Sequence, residues 1–101
     1  MEIQISNNGQ TVEAALTGRL DTAAAAAVAK DFSALTEQAD KTIVVDCAGL
    51  EFISSSGLRL FLTLRKATMT KGGRMVIRHL TEQVSNVFTM TGFLNLFEFE
   101  K

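Results

Sequence analysis

Ile43, Val44 and Val45 stand in a row directly after a stretch whose apolar residues repeat at helical spacing. A short continuous β-branched run in that position reads as a strand buried on both faces, which confines the chain to a layered sheet with helices packed on it. The preceding helix is explicit in the spacing. Ala24, Val28, Phe32 and Leu35 recur at four, four and three, while Lys30, Asp31 and Glu37 turn away from that face. Ala23 to Ala27 is an alanine run, and alanine is the strongest helix former. Asp21 or Thr22 is placed to cap the N-terminus, and the pattern fades near Gln38 to Ala39.

The rest of the chain fits around this unit. Met1 to Ser6 alternates, with Ile3 and Ile5 on one face. Asn7-Asn8-Gly9 is a turn signal, and Thr11 to Thr17 alternates again through Val12, Ala14 and Leu16, which predicts a hairpin that Gly18 ends. The β-branched strand is expected over Thr42 to Asp46. A second helix is expected from Leu58 to Lys71, with Leu58, Phe61, Leu62 and Met69 inward and Gly72-Gly73 as its stop. Arg74 to Arg78 reads as a short strand. Thr81 opens a third helix with Val84, Val87, Phe88 and Thr91 inward, Gly92 ends it, and Leu96 to Glu100 reads as a last strand. The order is β-β-α-β-α-β-α-β. It predicts an α/β fold: a mixed sheet with an opening hairpin, then alternating helices and strands joined by right-handed crossovers.

Composition narrows the function. At 101 residues there is room for one domain, spanning 1–101. Apolar residues make up 47% and charged residues 21%, enough for a folded core. The net charge of −1 carries no basic footprint, so no nucleic-acid partner is expected. No apolar run approaches the roughly 20 residues of a membrane span, and Met1 to Gln10 lacks the apolar stretch of a secretory signal. One cysteine excludes an intrachain disulfide framework and fits a reducing compartment, so a cytoplasmic location is expected. With one His and one Cys, neither a zinc site of those ligands nor any cofactor is expected.

The stretch able to carry chemistry runs from Val45 through Asp46, Phe52-Ile53 and Ser54-Ser55-Ser56-Gly57 to Leu58. It leaves a buried strand and enters a helix through three hydroxyls and a glycine. Free backbone N–H groups at such a helix start favour negative charge. A phosphate on one of these serines would add about −1.5 to −2 charge there. Serines at this position also act simply as caps and turn formers. A catalytic serine fits poorly, because the only histidine is His79, at the end of the fourth strand, and the glycine-flanked elbow of hydrolases is missing. No enzymatic activity is expected. Cys47 reads as a small buried apolar group, and Asp21 and Asp46 as a cap and a turn former.

These residues resemble the signature of STAS domains, in particular the small anti-sigma factor antagonists. The resemblance rests on Asp46, Leu50, Phe52-Ile53 and Ser55-Ser56-Gly57-Leu58. Gly18-Arg19-Leu20-Asp21 before the first helix and Thr91-Gly92-Phe93-Leu94-Asn95-Leu96-Phe97 near the C-terminus extend it to nearly the whole chain. It implies a partner switch. The unmodified domain would bind an anti-sigma factor that is also a serine kinase of the histidine-kinase-like ATPase fold. Phosphorylation would release it, and a serine phosphatase would reset the cycle. The serine aligned with the modified one is Ser55, ahead of Ser54 and Ser56. The partner-facing set implied is Asp21, Ser54, Ser55, Ser56, Gly57 and Arg59.

One position departs from the family pattern. Many members carry Asp directly before the modified serine, and this chain has Ser54. The carboxylate is lost and three serines stand together. The same domain type also resembles the small cytoplasmic component that docks on a lipid-transport ABC ATPase, which is the alternative function expected from sequence.

Overall fold

The computed structural model describes residues 1–100. Strands β1 (Glu2–Asn8) and β2 (Thr11–Leu20) form the opening hairpin. They are followed by α1 (Thr22–Glu37), β3 (Thr42–Ile53), α2 (Ser55–Lys71), β4 (Arg74–Arg78), α3 (Glu82–Met90), a 3-10 turn (Leu94–Leu96) and β5 (Glu98–Phe99). The sheet order is β1-β2-β3-β4-β5. Only the β1–β2 pair is antiparallel; β2–β3, β3–β4 and β4–β5 run parallel, as crossovers through α1, α2 and α3 require.

Inward residues of the strands and helices form one cluster. Val12, Ala14, Leu16, Ile43, Val45, Met75 and Ile77 come from the sheet, Phe32 and Leu35 from α1, Phe61 and Leu64 from α2, and Val84 and Phe88 from α3. The three helices therefore share one face of the sheet. In a chain with no Trp or Tyr, phenylalanine fills the centre. The Phe61 ring lies 5.8 Å from Phe32, 5.9 Å from Phe88 and 6.3 Å from Phe97, mostly edge-to-face, the arrangement aromatic quadrupoles prefer.

Among the described residues, the opposite face carries no helix from this cluster. Val44 and Val76 are register neighbours there and are nonetheless buried. Long charged side chains flank them. Arg78 bridges Glu13 at 3.3 Å and Glu100 at 3.0 Å, and Arg74 pairs with Glu98. The β-branched run is thus buried on both faces as expected, but on one face by arginine and glutamate side chains rather than by a helix.

Three boundaries and two inward faces differ from the sequence reading. Gly18 does not end β2; it stays in the strand with φ of +104°, a conformation side-chain-bearing residues rarely adopt, and the strand continues to Leu20. β3 runs on past Asp46 to Ile53. Its pairing with β2 shifts between Ala15 and Thr17 and again between Gly18 and Arg19. Each shift adds a residue to β3, so Cys47, Leu50 and Ile53 all face inward although they stand three apart. Those bulges erase the alternation that would have revealed the strand. In α2 the buried stripe is Leu58, Phe61, Leu64 and Thr68, while Leu62 is half-buried and Met69 is 65% exposed. Thr68 can be buried because its hydroxyl donates to the Arg65 carbonyl at 2.7 Å. Thr91, placed inward from sequence, is exposed, and Leu96 belongs to the 3-10 turn rather than to β5.

Candidate functional site

Parallel pairing of β2 and β3 brings two helix starts together. Leu20 pairs with Ile53 at the strand ends. The next residue on each strand is a cap. Asp21 accepts from the Ala24 N–H at 2.8 Å, and Ser54 accepts from the Gly57 N–H at 3.2 Å. The Ser54 N–H in turn donates to the Leu20 carbonyl at 2.9 Å, which ties the α2 start to the α1 start. Neither helix has an acidic residue in its first turn. Two positive helix ends thus lie side by side, partly offset by the Asp21 carboxylate.

The serines of the triplet have different environments. Ser54 is half-buried and spends its oxygen on the cap. Ser56 is half-buried and lines a groove of about 340 Å³ between α1 and α2, together with Thr22, Ala26, Arg59 and Thr63. Ser55 is exposed. It borders a smaller hollow of about 160 Å³ with Leu58, Leu62 and Phe93. Arg59, also exposed, lines both hollows from the ridge between them.

Gly57 is buried and offers little surface. A Cβ there would stand 2.7 Å from Leu20 Cγ and 2.9 Å from Ile53 Cγ1. Its absence lets α2 approach the paired strand ends, so this residue sets the position of the serines. Sequence reasoning gave no role to Arg19, whose guanidinium lies 4.5 Å over the Phe52 ring at the same end of the sheet. The signal was the outward position of Arg19 beside the buried Leu20.

Asp46 does not join this surface. It pairs with Ala15 and Arg78 in the middle of β3, accepts from the Ala48 N–H at 3.0 Å, and faces His79 Nδ1 at 3.2 Å. Seven residues of bulged strand separate it from Ser54; the matching run of β2, from Ala15 to Asp21, is six steps, roughly 20 Å at the usual rise. Ser, His and Asp therefore do not converge on one point. Burial pushes the Cys47 thiol up to about 12, with the nearby Asp46 charge adding to the effect, which keeps it a protonated core group. Among the described residues, no group of His, Cys, Asp and Glu is arranged to hold a metal. No described helix is long and apolar enough to cross a membrane.

The family described as Mlab, STAS domain matches residues 3–98. The chain belongs to the STAS domain family. A relative from Bordetella bronchiseptica, BtrV, described as an anti-sigma factor antagonist, is 32% identical over 84 residues, covering 83% of this STAS domain and 72% of BtrV. Among solved structures, the anti-sigma factor antagonist SpoIIAA in its unphosphorylated form superposes with a TM-score of 0.78. It shares 25% identity, with 99% of this chain and 89% of that one covered. SpoIIAA of Bacillus in its phosphorylated form, 24% identical, superposes with a TM-score of 0.73 over 99% of this chain and 92% of that one. The mixed sheet with an opening hairpin expected from sequence is the SpoIIAA-like fold.

Proposed function

We propose that this STAS domain is an anti-sigma factor antagonist that works as a phosphorylation-controlled binding module. Its unmodified form binds an anti-sigma factor that is also a serine kinase, in the cytoplasm. Phosphate on Ser55 breaks that complex, and a serine phosphatase restores it. The docking surface is the paired start of α1 and α2: Asp21, the serine triplet and Arg59, held in place by Gly57.

The observation that carries this reading is the exposure of Ser55 between Ser54, whose oxygen is taken up by the cap, and Ser56, which is half-buried at the groove. A phosphate at the first residue of a helix meets free N–H groups and a favourable dipole, so the free fold tolerates it. The same charge pressed against a partner must be desolvated or meet like charge. A thousandfold loss of affinity needs only about 4 kcal/mol, and an unpaired charge in an interface supplies several. Ser54, where many family members carry Asp, caps the helix here with an uncharged hydroxyl.

The test is affinity capture from native cytosol with wild-type and Ser55→Asp chains as parallel baits. The proposal expects a histidine-kinase-like ATPase on the wild-type bait and its loss from the Asp bait. Capture of a transporter ATPase instead would move the assignment to the ABC-docking role. Equal capture by both baits would remove Ser55 as the switch.

A further inference from the structure

We propose that the free edge of β1 is a self-association surface, on which a second copy of this chain adds its own β1 antiparallel to form one continuous sheet across a two-fold axis at Gln4. β1 is an outer strand of seven residues with no partner on its far side among the described residues. Edge strands are usually blunted by Lys, Pro, bulges or a covering element. β1 contains no Lys or Pro, pairs with β2 without a register shift, and has Glu2 as its sole charge.

The Gln10 carbonyl accepts from the Thr42 N–H at 3.0 Å, so even-numbered residues of β2 turn their backbone groups toward β3 and odd-numbered ones toward β1. The hairpin register adds to 19 (Asn8 with Thr11, Ile5 with Ala14), so even residues of β1 bond to β2. Ile3, Ile5 and Asn7 therefore point their N–H and C=O groups outward. An antiparallel partner must set outward residues opposite outward residues.

A dyad at Gln4 meets that condition. It sets Ile3 of each copy opposite Ile5 of the other as pairs exchanging both backbone bonds, Gln4 opposite Gln4, and Glu2 opposite Ser6. No like charges oppose each other. Ile3 and Ile5 share the helix-bearing face with Leu16 and Ala14, yet Ile5 is 38% exposed and Ile3 half-buried, because α1 packs over β2 and leaves this margin of the sheet uncovered. The pairing covers both isoleucines twice over, in the self-complementary manner of a two-fold interface. One strand per copy is a small contact, so the dimer belongs to the weak class, with Kd on the order of 10 μM to 1 mM. The helix starts at Asp21 and Ser54 lie across β2 from this edge and stay open in both copies.

The experiment is sedimentation equilibrium of the full chain up to about 1 mM, paired with amide hydrogen exchange at low and high concentration. Wild type is expected to dimerise, with the Ile3 and Ile5 amides gaining protection at high concentration while Gln4 and Ser6 are protected throughout. Ile5→Lys is expected to weaken the dimer at least tenfold. Ile5→Pro removes an outward N–H without removing a β1–β2 bond, and is expected to abolish it; unchanged far-ultraviolet dichroism verifies the fold of each variant. A chain that stays monomeric throughout overturns the proposal. So does a dimer that both variants leave intact or that leaves Ile3 and Ile5 exchange unchanged.

Discussion

The Ser54 backbone N–H donates to the Leu20 carbonyl at 2.9 Å, one step beyond the last register pair of β2 and β3. This bond makes the α2 start an extension of the sheet rather than a loose loop. The cap of α2, the cap of α1 and the close packing of Gly57 are consequences of the same strand ends, and each can be perturbed separately.

Ser54→Ala should remove the cap and cost about 1 kcal/mol. Ser54→Asp keeps an acceptor for the Gly57 N–H and adds a carboxylate at a positive helix end, so it should match or exceed wild type. Urea unfolding of the three proteins tests this. If Asp destabilises as much as Ala, the site demands the size of serine rather than its capping oxygen.

Gly57→Ala sets helix propensity against sterics. Alanine gains about 1 kcal/mol over glycine in a helix. The new Cβ would press on Leu20 and Ile53, which are 0% and 1% exposed and have nowhere to move. Overpacking of this kind costs about 1–3 kcal/mol, so sterics win and the melting temperature should fall by several degrees. A melt at or above the wild-type temperature would show that α2 can shift outward freely.

Cys47 should resist thiol reagents in the native protein and react fully once unfolded. Its pKa is raised in the fold to about 12 from an ordinary value of 9.0. Above pH 9 the unfolded chain loses this proton and the native one keeps it, so stability should fall with rising pH between those values. Cys47→Ala should show a flatter pH dependence in that window, measured by denaturant titration at pH 8 and pH 10. Equal slopes would contradict the assignment.

Glu98 is held below its ordinary carboxylate value by the hydrogen bond from Arg74. Its contribution is present above the unfolded value of 4.5 and is lost as pH falls through the lower folded value. Because the pair is exposed and screened by salt, the effect should be small and local. Glu98→Gln should speed exchange of the Glu100 amide, which donates to the Ile77 carbonyl at 2.9 Å, more than that of the β3 amides. Uniform acceleration would mean that β5 opens only with the whole domain.

Much of this architecture was readable from residue pattern. The start of α1 at Asp21 or Thr22, the helix opening at Thr81, the α1 face through Val28, Phe32 and Leu35, and the glycine stop after Lys71 follow from local chemistry; the structure makes Asp21 the cap of α1 and keeps the rest as read. The second half of β3 was not readable, because its two bulges replace the two-residue period with inward residues three apart at Cys47, Leu50 and Ile53. An expected strand end at Asp46 leaves no pairing of Leu20 with Ile53 to be read. The serine triplet stands out in the sequence as a candidate, but the distinct environments of its members come only from packing against α1 and the strand ends. Likewise, Gly57 looked like part of a contact surface until the space around it was known.

Phosphosite mapping decides whether Ser55 is the switch. The chain would be isolated from its native cells under phosphatase inhibition and the triplet peptide read by tandem mass spectrometry. Phosphate is expected on Ser55, with Ser54 and Ser56 unmodified. Phosphate on Ser54 or Ser56, or a triplet that stays unmodified under every growth condition, would contradict it.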